Sequence, residues 1–476
     1  MTVIPLPRRH LPVEDGEAGR ESAEPATPAE LRRQILRLTH RYSEATAGKK
    51  PFVAGRTRVD YAGRVYDSDE VTNLVSAALD FWLTEGPYAH GLEQALCRFL
   101  GVGHTALVNS GSSANLVALS ALTARELGER RLGPGDEVIT VAGGFPTTVA
   151  PIVQVGAVPV FVDLHVATAN IDPEKLEDAV SSRTRAVMLA HTLGNPFDID
   201  EVLACCRRHG LWLVEDNCDA LGSRYTSTGH GRPVTRLTGG FGDIATSSFY
   251  PAHHMTTGEG GAVYTSDDLL DTIIRSVRDW GRGCWCKPGR DNTCGERFSG
   301  CHGDLPFGYD HKYVYARFGY NLKMTDLQAA VGVAQVSKLE AFGQARRDNF
   351  RYLYRHLAPY ADMLRLPEAT RGADPSWFGF LIGVLPEAPF TRADLVAELE
   401  QAKIQTRALF AGNLLRHPCF DEMRSTGSGY RVTGDLDATD TIMRSSFWVG
   451  VYPGMTADRL DHMVETVTGF LDRHRS

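Results

Sequence analysis

Residues 105–126 read TALVNSGSSANLVALSALTARE: a short apolar run, a turn of small residues, then a longer stretch of helical character. A strand passing directly into a helix is half of a βαβ unit, because parallel strands need a crossover between them. The alternation spreads outward from there, over about Ser68 to Gln335. EVITV at 137–141, VPVFV at 158–162, AVMLA at 186–190 and LWLVED at 211–216 are further strand-length apolar runs. The expected class is therefore α/β, a mostly parallel sheet with helices on both faces. Ligands on such sheets sit beyond the carboxyl ends of the strands, and the unusual residues of this chain cluster just after its strands.

Around this core the chain divides by composition. Residues 1–26 are rich in Pro, Glu, Arg and Gly and are expected to form a disordered tail. Thr27-Pro28-Ala29-Glu30 has a capping hydroxyl, a proline at the first helical position and a glutamate placed to close a capping box. A helical segment is thus expected within 27–67, with Leu31, Ile35, Leu38 and Tyr42 at helical spacing. A large domain over 68–338 and a smaller α+β domain over 339–476 complete the division; TRADLVAELEQA and TADRLDHMVETVTGFL supply amphipathic helices to the latter.

The balance of 43% hydrophobic and 23% charged residues is that of an ordinary globular protein. A formal net charge of -8 leaves no basic stripe for nucleic acid. No run approaches the roughly 20 apolar residues of a membrane span, and the N-terminus has no secretory pattern, so a cytoplasmic location is expected.

Several motifs carry chemistry. In Asn109-Ser110-Gly111-Ser112-Ser113-Ala114-Asn115, small residues open a helix whose N–H groups can meet a phosphate, although glycine–serine turns often are only turns. Asp216, ending LWLVED, can hold a protonated pyridine nitrogen, or can simply be a helix cap. Phe145 in GGFPTT can stack on a ring or fill a core.

The ordered motifs NSGSSAN, GGFPTTVAPIVQVGA, VEDNCDALGS, SSFYPAHH and GYNLKMTDLQAAVGVAQ resemble the fold-type I sugar aminotransferases of the DegT/StrS family, from about Val59 to the C-terminus. The resemblance implies a fold-type I PLP-dependent transferase with a seven-stranded type of sheet and a small C-terminal α+β domain. It implies that Asp216 meets the pyridine nitrogen, Phe145 stacks on the ring, and Gly111, Ser112 and Ser248 bind the phosphate. Asn321 resembles the asparagine that reaches the phosphate of a neighbouring subunit, which implies a homodimer. Asp219 stands where the family carries glutamine.

His253 occupies the family's lysine position. Lysine holds pyridoxal phosphate as an aldimine; histidine does not, but it can move a proton near neutral pH. The pattern therefore resembles the 3-dehydratases of deoxysugar biosynthesis, which use pyridoxamine phosphate (PMP). His253 is the expected base, with His254 its competitor.

The spacing Cys218-x65-Cys284-x-Cys286-x7-Cys294 is similar to the iron–sulfur kind of 3-dehydratase. It implies a [2Fe-2S] cluster on these four thiolates, in an insertion near 284–312, with Cys301 a possible substitute for Cys294. The implied substrate is a nucleotide-diphosphate 4-keto-6-deoxy sugar, and the implied partner a flavin and iron–sulfur reductase or ferredoxin-type donor. The alternatives are a metal-free PMP-dependent 3-dehydratase, a plain aminotransferase, and a catalytically inactive relative with zinc on the cysteines.

Overall fold

The computed structural model describes residues 26–46, 51–229, 232–286 and 289–475. The tail expected over 1–26 lies, but for its last residue, outside the described residues. The helix expected next is Pro28–Thr46, and Glu30 closes its start by accepting from the Thr27 N–H at 2.8 Å. Its apolar residues Leu31, Ile35, Leu38 and Tyr42 are exposed, and Arg32 ties the helix to Asp80 at 2.8 Å.

The strands, in chain order, are β1 His104–Val108, β2 Glu137–Val141, β3 Val158–Val162, β4 Thr184–Ala190, β5 Trp212–Asp216, β6 Arg224–Ser227, β7 Val234–Leu237 and β8 Ile244–Ser248. They continue with β9 Gly261–Thr265, β10 Leu364–Arg365, β11 Ala373–Asp374, β12 Gly379–Val384, β13 Arg431–Val432 and β14 Ser446–Gly450. The main sheet has the order β1-β9-β8-β5-β4-β2-β3-β13. It is parallel from β8 through β13, while β9 runs antiparallel to both β1 and β8. Seven strands are substantial, and the two-residue β13 adds an eighth at the edge.

Alternate residues of one strand feed different cores, as the two-residue period demands. Val138, Ala186 and Met188 pack with the helix Gly111–Leu122, while Ile139, Val187 and Leu189 pack with the helix Ile199–His209 on the other face. Such double burial is why these strands read as unbroken apolar runs. Gly261 is needed where β9 slips between β1 and β8: a Cβ there would lie 2.6 Å from the Ser110 carbonyl oxygen and 2.7 Å from that of Ser247. A smaller antiparallel sheet, β10-β12-β14, forms its own core with Phe350, Leu353, Leu395, Leu399, Val467 and Leu471 from three C-terminal helices. A third sheet has the order β11-β6-β7.

Parallel alignment brings the carboxyl ends of β1, β5 and β8 to one side. In register, Asp216 faces Thr246, and Ser248 faces Gly261, which faces Val108 on its other side. Asn109-Ser110, Asp216 and Ser248 therefore end up together.

At the opposite end of β2, the buried Glu137 joins three separate segments. It accepts from Ser181 Oγ at 2.8 Å, Arg183 Nη2 at 2.7 Å and Arg431 Nη2 at 2.8 Å. Burial raises this carboxyl, but the bonds from Arg431, Ser181 and Arg183 outweigh it and hold the group at about 2. Glu137→Gln is expected to reduce stability at pH 7 by about 2 kcal/mol, since two arginines lose their charge partner. A folded-state pKa depressed from 4.5 to about 2 stabilises fully above 4.5 and progressively less as pH falls toward 2. Urea unfolding of both proteins at pH 7 and pH 4 should show the difference narrowing at the lower pH.

Candidate active site

Asp216 ends β5 and is 4% exposed, so its carboxylate must be satisfied within the protein. Its Oδ2 accepts from Asn115 Nδ2 at 2.8 Å and Thr148 Oγ1 at 2.7 Å, and its Oδ1 accepts from the Cys218 N–H at 3.2 Å. Asn115 is itself fixed, its Oδ1 accepting from Thr246 Oγ1 at 2.6 Å. Neither Asn115 nor Thr148 is assigned a role from sequence, although both lie within motifs quoted above; the available signal is a buried polar residue on an otherwise apolar helix face. Strand alternation sends the neighbouring Glu215 elsewhere, to His191 Nε2 at 3.0 Å and the N–H groups of Gly239, Phe241 and Gly242.

The small-residue turn lies beside this carboxylate. Ser110 caps the helix Gly111–Leu122 by accepting from the Ser113 N–H at 3.1 Å, while Ser112 is exposed at its first turn. Gly111 is closely embraced: a Cβ there would meet Ser248 Cβ at 2.4 Å, Ser248 Oγ at 2.9 Å and Cys218 Sγ at 3.1 Å. Phe145 precedes the helix Pro146–Gln154 and is 52% exposed, its ring edge-on to Phe410 at 6.0 Å. Asn321 is also exposed, bridged through its main chain to Asp279.

His253 lies on the turn between β8 and β9. Its Nδ1 is 3.6 Å from Asp219 Oδ1, with side-chain exposures of 17% and 13%. The ring lies 5.4 Å from Phe378, tilted by 31°. Burial lowers His253 to about 4, against the charge of Asp216 and the Cys218 carbonyl, which raise it. Burial and the charge of Asp216 push Asp219 up to about 8. His254 points the other way: it is 3% exposed and its Nε2 is 2.7 Å from the Ser376 carbonyl oxygen.

The cysteines divide. Among the described residues, the ligand atoms of Cys284, Cys294 and His311 lie within 4.8 Å of one another. Cys286 joins them, its N–H 3.4 Å from Cys284 Sγ and its thiol facing those of Cys284 and Cys294. Cys218 instead faces Gly111 and Asp216 in the cleft, where burial and the Asp216 charge raise its thiol far above the usual range. Cys301 is exposed and outside the group. A two-iron cluster on cysteine alone needs four thiolates. Three converge here, with His311 rather than Cys218 as their neighbour, so the four-thiolate set expected from the spacing is not assembled.

A mostly parallel sheet with a buried acid at one strand end, a small-residue helix start beside it and an exposed aromatic at the start of the next helix is the arrangement of the fold-type I PLP-dependent class. The chain belongs to the DegT/DnrJ/EryC1/StrS aminotransferase family, whose model matches residues 65–468. It is 52% identical over 436 residues to the dTDP-4-dehydro-2,6-dideoxy-D-glucose 3-dehydratase of Saccharopolyspora spinosa, spanning 92% of this chain and 90% of that one. It is 50% identical over 444 residues to the lipopolysaccharide biosynthesis protein RfbH of Salmonella typhimurium, spanning 93% and 99%. The solved E. coli GDP-4-keto-6-deoxy-D-mannose 3-dehydratase with bound hydrated PLP superposes with a TM-score of 0.74 at 27% identity, covering 86% of this chain and 98% of that one. Among the described residues, no helix is long and apolar enough to cross a membrane.

The residues present fit such a cofactor, since a ring nitrogen at Asp216 would meet a carboxylate already held by three donors. The closeness of Gly111 to Ser248 makes a test. Gly111→Ala is expected to weaken pyridoxal 5′-phosphate binding about tenfold, through overpacking of roughly 1–3 kcal/mol. Absorbance titration of the apoprotein measures this; unchanged affinity would place the phosphate elsewhere.

Proposed function

We propose that this protein is a PMP-dependent 3-dehydratase of a nucleotide-linked 4-keto-6-deoxyhexose, with His253 as its base. The observation that carries the reading is His253 itself, at the family's lysine position and in one cleft with Asp216 and Ser248. The described lysines are committed elsewhere: Lys175 to Asp163, Lys312 to Asp291, Lys323 to Asp279 and Lys338 to Glu70, while Lys403 is exposed. Among the described residues, an internal aldimine of the transaminase type therefore has no lysine amine in this cleft.

When bound, PMP supplies an amine for the C4 ketone of the sugar and a ring that accepts electrons. Asp216 would meet the ring nitrogen, and Asn115 and Thr148 hold its carboxyl group in place. Gly111, Ser112 and Ser248 would bind the phosphate, and Phe145 would cover the ring. His253 would move the proton at the cofactor's C4′ position and could return it to the departing C3 hydroxyl, which would leave as water. Held neutral by burial, the imidazole is free to accept that proton. Asn321 completes the phosphate site of the partner subunit in a homodimer, for which its exposure suits it.

Two forms of this reaction are chemically open. The metal-free form has the better support, because the solved 3-dehydratase that superposes on this chain binds hydrated PLP and the four-thiolate set is not assembled here. The cluster form, with its reductase or ferredoxin-type donor, is favoured by the convergence of Cys284, Cys286 and Cys294.

Incubation with dTDP- and GDP-linked 4-keto-6-deoxyhexoses is expected to yield PMP-dependent loss of the C3 hydroxyl. His253→Asn should reduce the rate by at least about 10²-fold, and full activity in that variant would remove the assignment. Iron and acid-labile sulfide assayed on anaerobically prepared active enzyme separate the two forms. Activity with glutamate and no iron supports the metal-free one; about two of each per chain supports the cluster.

A further inference from the structure

The surroundings of His253 contain more than a base needs in order to sit in a cleft. Its main-chain N–H donates to the Tyr250 carbonyl at 2.9 Å, and its own carbonyl accepts from Arg346 Nη2 at 3.2 Å. Arg346 is 1% exposed and also donates to the Trp377 carbonyl at 3.2 Å, so the turn is fastened from beneath by a buried guanidinium. The ring is flanked by Phe378 at 5.4 Å and by Tyr250, edge-on at 6.5 Å. What remains is the ring's rotation and the placement of its single proton.

Both converge on a turn remote in sequence. Leu193 has a φ of 50°, a left-handed conformation that is unfavourable for a branched residue and persists where its surroundings enforce it. In that conformation its N–H faces the Asp219 carboxyl, and its carbonyl accepts from the Phe378 N–H at 2.8 Å. One strained turn thus fixes both neighbours of the imidazole, the aromatic ring against its face and the acid against its edge. Asp219 Oδ1 stands 3.6 Å from Nδ1, just beyond hydrogen-bond length, and that buried nitrogen has no hydrogen-bond partner among the described residues. The Cys218 carbonyl also faces the ring. Every protein group on this edge can accept a hydrogen bond.

We propose that Asp219 is a positioning residue: it holds the proton of the neutral His253 ring on Nδ1 and turns Nε2, unprotonated, toward the reacting carbon. The assignment rests on the dehydratase reading for its purpose, but its geometry stands independently. A carboxyl oxygen accepts from an N–H that faces it, so the opposite nitrogen keeps its lone pair. Glutamine, the family residue here, presents an amide that can donate as well as accept; an acid only accepts once ionised, and because burial and Asp216 push Asp219 up to about 8, the tautomer is read at about pH 9.

The test reads proton placement and rate separately. In ¹⁵N-histidine-labelled enzyme loaded with PMP, long-range ¹⁵N–¹H correlation distinguishes the two neutral tautomers, and the His253 signals are those lost in His253→Asn. The wild type is expected to show the Nδ1–H form, and Asp219→Leu to shift toward Nε2–H. With dTDP- and GDP-linked 4-keto-6-deoxyhexoses, exchange of the cofactor C4′ hydrogen should fall about 10²-fold in that variant, with KM within about threefold. Asp219→Ala, smaller and still lacking an acceptor, should behave alike and guards against a folding defect in the leucine variant. An Nε2–H tautomer in the wild type would overturn the proposal outright, and an unchanged tautomer and rate in both variants would overturn it in favour of the Cys218 carbonyl. If the wild type exchanges no C4′ hydrogen with either sugar, the dehydratase reading fails, while the tautomer still decides the role of Asp219.

Discussion

A carboxylate placed where water cannot reach it sets the terms for this cleft. Asp216 sits at the end of the central strand β5, 4% exposed, and an ion so placed survives only when donors surround it. The donors come from three directions: Asn115 in the helix after β1, Thr148 in the helix after β2, and the main chain of Cys218 after β5 itself. To deliver them, the sheet must bring the carboxyl ends of those strands level, which its parallel register does. The pocket is thus a by-product of satisfying one charge. A cationic ring nitrogen would relieve the remaining deficit.

The same cleft holds groups that a purely structural core would avoid. Among the described residues, Arg346 is buried without a carboxylate at ion-pair distance, His253 Nδ1 is buried without a hydrogen-bond partner, and Leu193 carries a left-handed backbone. Each is unfavourable locally, and such exceptions gather at functional sites, where the fold over-determines their geometry. Here they gather on one side chain, His253. Its neighbour His254, equal to it in the sequence, is taken out of the cleft by the Ser376 carbonyl.

The cysteines show how far spacing can be read. Cys284, Cys286 and Cys294 come together from one short stretch of sequence, and PMP chemistry does not require them to do so. Cys218 is fixed by other means. It follows Asp216 by two residues, so the strand that places the acid also places the thiol, beside Gly111. His311, which spacing alone does not single out, arrives beside Cys294 at 3.8 Å through the turn that follows Asp310.

Taken alone, the sequence determined the sheet and the order of its parts. Runs such as EVITV and VPVFV are apolar on both sides only in strands covered on both faces, and each appears as a strand within a residue or two of where its pattern places it. It also determined the chemistry at each strand end, since Gly111, Asp216, Ser248 and His253 stand in motifs whose residue types are legible without coordinates. What it left undecided depended on partners distant along the chain. Whether Asp216 is a solvated cap or a buried ion turned on Asn115 and Thr148; which of two adjacent histidines faces the cleft turned on Ser376; and what meets the imidazole turned on Leu193 and Phe378. Periodicity reports the neighbours of a residue along one element, and these contacts join elements that only the packed tertiary structure brings within hydrogen-bonding distance.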